Sequence, residues 1–141
     1  MRYVLDSSVA LKWVLPEIDS DKADRLRDDF RNAVHDLLAP DVFPIEVAHA
    51  LTRAERRRLI GVGQASVLLA DILNTSPLLH SYRPLLNRAI AISSAARIGV
   101  YDCLYVALAQ REGCSLVTAD SRLVANLQAQ FPFIVPLSSL P

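Results

Sequence analysis

What most constrains this chain is an alternation. Short apolar, β-prone runs recur at Tyr3-Val4-Leu5, Leu37-Leu38-Ala39, Leu78-Leu79-His80, Ser115-Leu116-Val117-Thr118 and Phe133-Ile134-Val135, and helical patterns fill the intervals. Strands joined through helices by right-handed crossovers form a parallel sheet sandwiched between helices, with the functional crevice outside the carboxyl ends of the strands. The pattern therefore predicts an α/β fold, a three-layer α/β/α sandwich around a central parallel sheet, in a single domain over residues 1–141.

The helices have readable ends. One is expected from Ser7 to about Val14, stopped by Pro16, and a charged surface helix from Asp19 to about Val34. Pro44 is tolerated in a first turn, so Glu46 sits near the start of a helix to about Leu59. Gly61-Val62-Gly63 breaks it, and a second helix over Gln64 to Asn74 completes a helical hairpin. Pro84 opens a helix through about Arg97, with Gly99 as its stop. The next begins near Asp102, is apolar nearly all round from Cys103 to Ala109 and ends at Gly113, which predicts a buried helix. A last helix is expected from Ser121 to about Gln130.

Composition excludes several classes. Fifteen basic and fifteen acidic residues cancel, so any nucleic-acid binding must be local. Cys103 and Cys114 form no CxxC pair, which leaves neither a zinc cluster nor a disulfide framework. Asp6 and Lys12 interrupt what would be a signal peptide's apolar region, and no run of 18 apolar residues exists, so a cytoplasmic protein without a membrane span is expected. A hydrophobic fraction of 52% is rich for a monomer and points to apolar surface covered by a partner or second copy.

Four acids, Asp6, Glu46, Asp102 and Asp120, each stand where an apolar segment hands over to a helix. Singly, each is explained as a helix cap. Asp102 is harder to explain so, because its neighbours are Val100, Tyr101, Cys103 and Leu104, with no Lys or Arg beside it in sequence. Asp6 and Asp120 follow strands of one parallel sheet, and Glu46 and Asp102 open helices packed at the same edge. Two carboxylates about 4 Å apart repel by roughly 4 kcal/mol at an effective dielectric near 20, so such a cluster either protonates or binds a cation. An all-oxygen ligand set favours Mg²⁺, with Mn²⁺ the alternative, and the matching chemistry is metal-assisted phosphodiester hydrolysis.

YVLDSS near the N-terminus, PIEVAHAL, YDCLYVALA and LVTADSRL, in this order and at these separations, resemble the PIN-domain nucleases, most closely the VapC-type toxins of bacterial type II toxin–antitoxin modules. The resemblance runs from Tyr3 to about Val135 and implies a doubly wound α/β/α sandwich. It further implies a Mg²⁺- or Mn²⁺-dependent endoribonuclease that leaves 3′-hydroxyl and 5′-phosphate ends, a cognate antitoxin protein that inserts near the site, and a homodimer. The family's acidic residues fall on Asp6, Glu46, Asp102 and Asp120, its hydroxyl beside the first Asp on Ser8, and its T-x-D threonine on Thr118. Ser8 either orients Asp6 or caps the helix, and Thr118 is equally a good strand residue. Many relatives carry Asn where this chain has His49, and Glu46-x-x-His49 is only half of a di-iron motif, so His49 is placed at the pocket rim.

Arg53, Arg56, Arg57 and Arg58 follow Glu46 on one helix, as an RNA-backbone track or as a solvated face paired with Glu55; Arg83, Arg88 and Arg97 extend the candidates. Lys12 is a candidate for the scissile phosphate or a cleft carboxylate, and Trp13 for core or interface. The apolar positions at 47–51 and 67–73 serve either an antitoxin groove or the core. Competing folds fit poorly, since haloacid-dehalogenase phosphatases need Asp where Ser8 stands and receiver domains need paired acids and a late Lys. A PIN nuclease of RNA processing without an antitoxin and a non-cleaving PIN scaffold that binds RNA or protein are the remaining alternatives, and four intact acids argue against the scaffold.

Overall fold

The computed structural model describes residues 1–141. Its elements run β1 (Arg2–Leu5), α1 (Ser7–Leu11), α2 (Ser20–Arg31), β2 (Asp36–Pro40), α3 (Phe43–Arg56), α4 (Gln64–Asn74), β3 (Leu78–His80), α5 (Leu86–Ala96), α6 (Val100–Glu112), β4 (Ser115–Thr118), α7 (Ser121–Leu127) and β5 (Ile134–Pro136). The five strands form one sheet in the order β3-β2-β1-β4-β5, every pair parallel. Consecutive residues Val4-Leu5, Leu37 to Ala39 and Leu116 to Thr118 are all buried, and because successive side chains point to opposite faces, both faces of the sheet are covered. This is the three-layer α/β/α sandwich that the alternation predicts. No helix is long and apolar enough to cross a membrane.

The chain leaves β1 toward β2 and β3, then returns to place β4 on the other side of β1. The switch point therefore lies between β1 and β4, whose carboxyl ends carry Asp6 and, two residues beyond Thr118, Asp120. α6 is the central helix, with Cys103 to Ala109 all buried as its continuous apolar run requires. α3 and α4 pack together as the expected hairpin.

Several boundaries depart from expectation. α1 stops at Leu11, well before Pro16, because the chain turns at once toward α2. α3 ends at Arg56, since Arg58 adopts φ 60° and breaks the helix ahead of the glycines. At the end of α5 it is Arg97, not Gly99, that takes the left-handed conformation (φ 57°), while Gly99 is extended and opens α6. The link between those helices is only three residues, and the Ser93 hydroxyl donates to the Ile98 carbonyl to fold it back. Val47, Leu51 and Ile72 are fully buried and belong to the core, while Val67 is exposed and stays open to a partner.

α2 is fastened by Arg27, whose guanidinium is buried, lies 4.7 Å from the Trp13 ring centroid, and donates to the Asp71 carboxylate at 2.8 Å and the Asp71 carbonyl at 2.6 Å. Trp13 in turn donates to the Ala23 carbonyl at 2.9 Å, so it serves the interior. Arg27→Ala is expected to cost about 2 kcal/mol in urea unfolding. Asp71→Ala keeps the carbonyl acceptor and is expected to cost under about 1 kcal/mol, so equal losses would contradict this division.

Candidate active site

Asp6 ends β1 in an extended conformation, and its amide still donates to the Val117 carbonyl at 3.0 Å, which pins it to β4. Although it precedes α1, its side chain caps nothing there. Instead one carboxylate oxygen, Oδ2, accepts the Ser8 hydroxyl at 2.6 Å and the Thr118 hydroxyl at 2.9 Å. Ser8 also accepts the Ala119 amide at 3.0 Å, and Thr118 the Asp120 amide at 3.0 Å, so both hydroxyls are oriented from behind. Of the alternatives for Ser8, orientation of Asp6 is the one observed; Thr118 does the same while serving as a strand residue.

Asp120 is different. Its Oδ1 accepts the amides of Arg122 at 2.9 Å and Leu123 at 3.4 Å, capping α7, which leaves Oδ2 for the cleft. Glu46 stands in the first turn of α3 and caps nothing; its Oε1 is buried without a hydrogen-bond partner. Asp102 stands in the first turn of α6 and opens, with Asp120, onto a cleft lined by Arg97, Gly99, Arg122 and Asn126.

The acids act on one another, Asp6 bearing on both Glu46 and Asp102, and Asp120 on both Asp6 and Asp102. Burial first, then the charges of Asp6 and Asp102, push Glu46 up to about 7, against the influence of Tyr105. Burial first, then Asp6 and Asp120, push Asp102 up to about 6, with Arg122 opposing. Asp6 is raised chiefly by burial, with Ser8 and Thr118 holding it down and Asp120 pushing it up. Arg122 supplies the positive charge that sequence neighbours do not give Asp102. It is distant in sequence, its side chain is 87% exposed, and only the β4–α7 turn brings it near.

All these donors are oxygens, the set suited to Mg²⁺ or Mn²⁺ rather than zinc, and Glu46 Oε1 is a buried acceptor without a donor. No three acidic, His or Cys side chains converge as a ready-made cage. Mutually repelling carboxylates stand apart until a cation draws them in, and Mg²⁺ completes its octahedron with water. The residues thus fit a hydrated divalent ion. Cys103 does not compete as a nucleophile, because burial and then Asp102 push its thiol up to about 11.

The other candidates fall into place around this cleft. His49 is exposed and lines its far side with Ser7, Ile45, Glu46 and Tyr101, at the rim as expected. Lys12 is buried, and its ammonium donates to Glu17 at 3.0 Å and the Ile18 carbonyl at 2.9 Å. It borders the space beside Thr118 and Asp120, but its ion-pair partner is Glu17 rather than one of the four acids. Arg53, Arg56, Arg57 and Arg58 are exposed and without ion pairs. The expected pairing with Glu55 is corrected: its Oε2 accepts the amides of Gly63 at 3.1 Å and Ala65 at 2.9 Å, fastening the start of α4. Sequence reasoning passed over Arg122 and Tyr105; the only signal for Tyr105 was its position one helical turn past Asp102.

Because the folded state keeps protons on Glu46 and Asp102 that the unfolded chain has already released, stability falls as pH rises between the two sets of values. Thermal unfolding without divalent metal should therefore show a Tm that declines from about pH 4.5 to about pH 7.5, and Mn²⁺ should restore it at the upper end only. Asp102→Asn is expected to raise the metal-free Tm at pH 8 by about 2–5 °C, and a lowered Tm would contradict this electrostatic reading.

A family model for the PIN domain matches residues 3–126. Ribonuclease VapC3 of Pyrobaculum aerophilum is 33% identical over 131 residues, 92% of this chain and 97% of its own. Ribonuclease VapC12 of Mycobacterium tuberculosis is 33% identical over 124 residues, 87% of this chain and 90% of its own. Among solved structures, PAE2754 from Pyrobaculum aerophilum superposes with a TM-score of 0.67 at 22% identity, over 99% of this chain and 94% of that one. VapBC2 from Rickettsia felis, bound to a DNA fragment from its promoter, superposes with a TM-score of 0.62 at 14% identity, over 96% of this chain and 97% of that one, a likeness of fold. With a family match over most of its length and one-third identity to two such relatives, this chain belongs to the PIN-domain family.

Proposed function

We propose that this protein is the toxin of a type II toxin–antitoxin pair, a Mg²⁺-dependent endoribonuclease acting in the cytoplasm as one PIN domain, with Mn²⁺ able to substitute. The observation that carries the reading is the carboxylate cluster at the switch point of the sheet, buried at Asp6 and half-buried at Glu46, Asp102 and Asp120, in a chain one-third identical over most of its length to proteins named ribonucleases.

Asp6, Glu46, Asp102 and Asp120 would hold the ion. When bound, it supplies Lewis-acid stabilisation of charge on the scissile phosphate and a more acidic water. Ser8 and Thr118 keep Asp6 aimed into the cleft, because a carboxylate with one oxygen fixed by two hydroxyls presents the other in a single direction. Asp120, with one oxygen committed to the α7 amides, faces the cleft with the other and is suited to orienting water. Glu46, pushed up to about 7 without metal, would give up its proton as the ion enters and then hold the ion as a carboxylate.

Arg97 and Arg122 flank Asp102 and Asp120, where adjoining backbone phosphates would run, and the unpaired Arg53, Arg56 and Arg57 continue the positive surface along α3. Lys12 serves the phosphate only if it exchanges Glu17 for it. Antitoxin binding and homodimerisation would use the apolar side chains left exposed, Ile45, Val67 and Tyr101 among them.

The test compares RNA cleavage by native protein and Asp6→Asn, each with Mg²⁺ and with chelator. Native protein should cleave only with metal, and Asp6→Asn should lose about a hundredfold or more. Equal cleavage by both, or cleavage undiminished by chelator, would refute the mechanism.

A further inference from the structure

Tyr105 is fully buried on a helix whose neighbouring side chains, Cys103 to Ala109, are otherwise apolar. Packing alone would be served by Phe, since a buried hydroxyl without a partner costs about 1–3 kcal/mol. Yet the Tyr105 hydroxyl has no hydrogen-bond partner of standard geometry, and neither has Glu46 Oε1. These two atoms belong to side chains of different helices that bear on each other, and Ser7 bears on the hydroxyl as well. One is a donor and the other, on an ionised carboxylate, an acceptor only, so a small side-chain rotation satisfies both.

Two of the other three carboxylates already have orienting donors, and Asp102 has none. Asp6 has the hydroxyls of Ser8 and Thr118, and Asp120 has two backbone amides. Glu46 has none in place, and Tyr105 is the one side-chain donor that bears on it. We propose that Tyr105 is the positioning residue for Glu46, its hydroxyl donating to the carboxylate and fixing the orientation in which Glu46 meets a divalent ion. This rests on the metal-site reading above and extends it to a residue that touches neither ion nor substrate. Ser7, beside the phenol oxygen, is placed to set the direction of the Tyr105 O–H.

The test is a double-mutant cycle read by Mn²⁺ binding, with electron paramagnetic resonance of free Mn²⁺ at pH 8 for native protein, Tyr105→Phe, Glu46→Gln and the double variant. Tyr105→Phe should weaken Mn²⁺ binding about tenfold. In the Glu46→Gln background it should weaken it no further. Its metal-free Tm should stay within about 5 °C of the native value, because the ring that fills the core is kept and at most one hydrogen bond is lost. Native-like affinity in Tyr105→Phe, or the same loss in both backgrounds, would overturn the positioning role and leave the metal site standing. Absence of Mn²⁺ binding by native protein would instead overturn the metal-site reading and this inference with it.

Discussion

The structure turns on the junction of β1 and β4, where a carboxylate is buried at the one place a doubly wound sheet leaves open. Asp6 is held there by a backbone bond to Val117 and by the hydroxyls of Ser8 and Thr118. Those bonds stabilise its charged form, while burial and the charge of Asp120 oppose it. Glu46 and Asp102, brought to the same edge by α3 and α6, lack an equivalent pair of hydroxyls, and their carboxyls are raised as that of Asp6 is. The fold thus concentrates negative charge that it does not itself neutralise, a stability cost of the kind found at functional sites.

Surroundings divide the cleft. Beyond Asp102 and Asp120 lie Arg97 and Arg122, with Arg97 in a left-handed conformation that a non-glycine residue adopts at a cost of about 1–2 kcal/mol. Beyond Glu46 lie Ile45, His49 and Tyr101, more apolar and partly aromatic. A nucleic-acid strand crossing the carboxylates would meet phosphate-binding charge on one side and a surface suited to a base on the other.

Much of this was legible in the chain because it is local. Alternating apolar runs and helical patterns give the parallel sheet, and right-handed crossovers then put Asp6 and Asp120 at one edge without further information. Asp102 stood out because an acid in an apolar helix has few structural uses. What was not legible depends on contacts far apart in sequence. Glu55 looks like the partner of adjacent arginines, yet it meets the Gly63 and Ala65 amides, whose position depends on how the hairpin closes. Lys12 is claimed by Glu17 only after α1 ends early. Gly99 outranked Arg97 as a helix stop on propensity, and a three-residue link with its own hydroxyl bond reversed the order. Tyr105 reads as core from sequence, because nothing local says that its hydroxyl faces Glu46.

If burial among like charges keeps Glu46 and Asp102 partly protonated, a divalent ion must displace those protons on entry. Calorimetry of Mn²⁺ binding in buffers of different ionisation enthalpy counts them. With Glu46 near 7 and Asp102 near 6, and Asp6 raised as well, at least about one proton per ion should be released at pH 6.5 and fewer at pH 8.5. Binding at pH 6.5 without proton release would contradict the account.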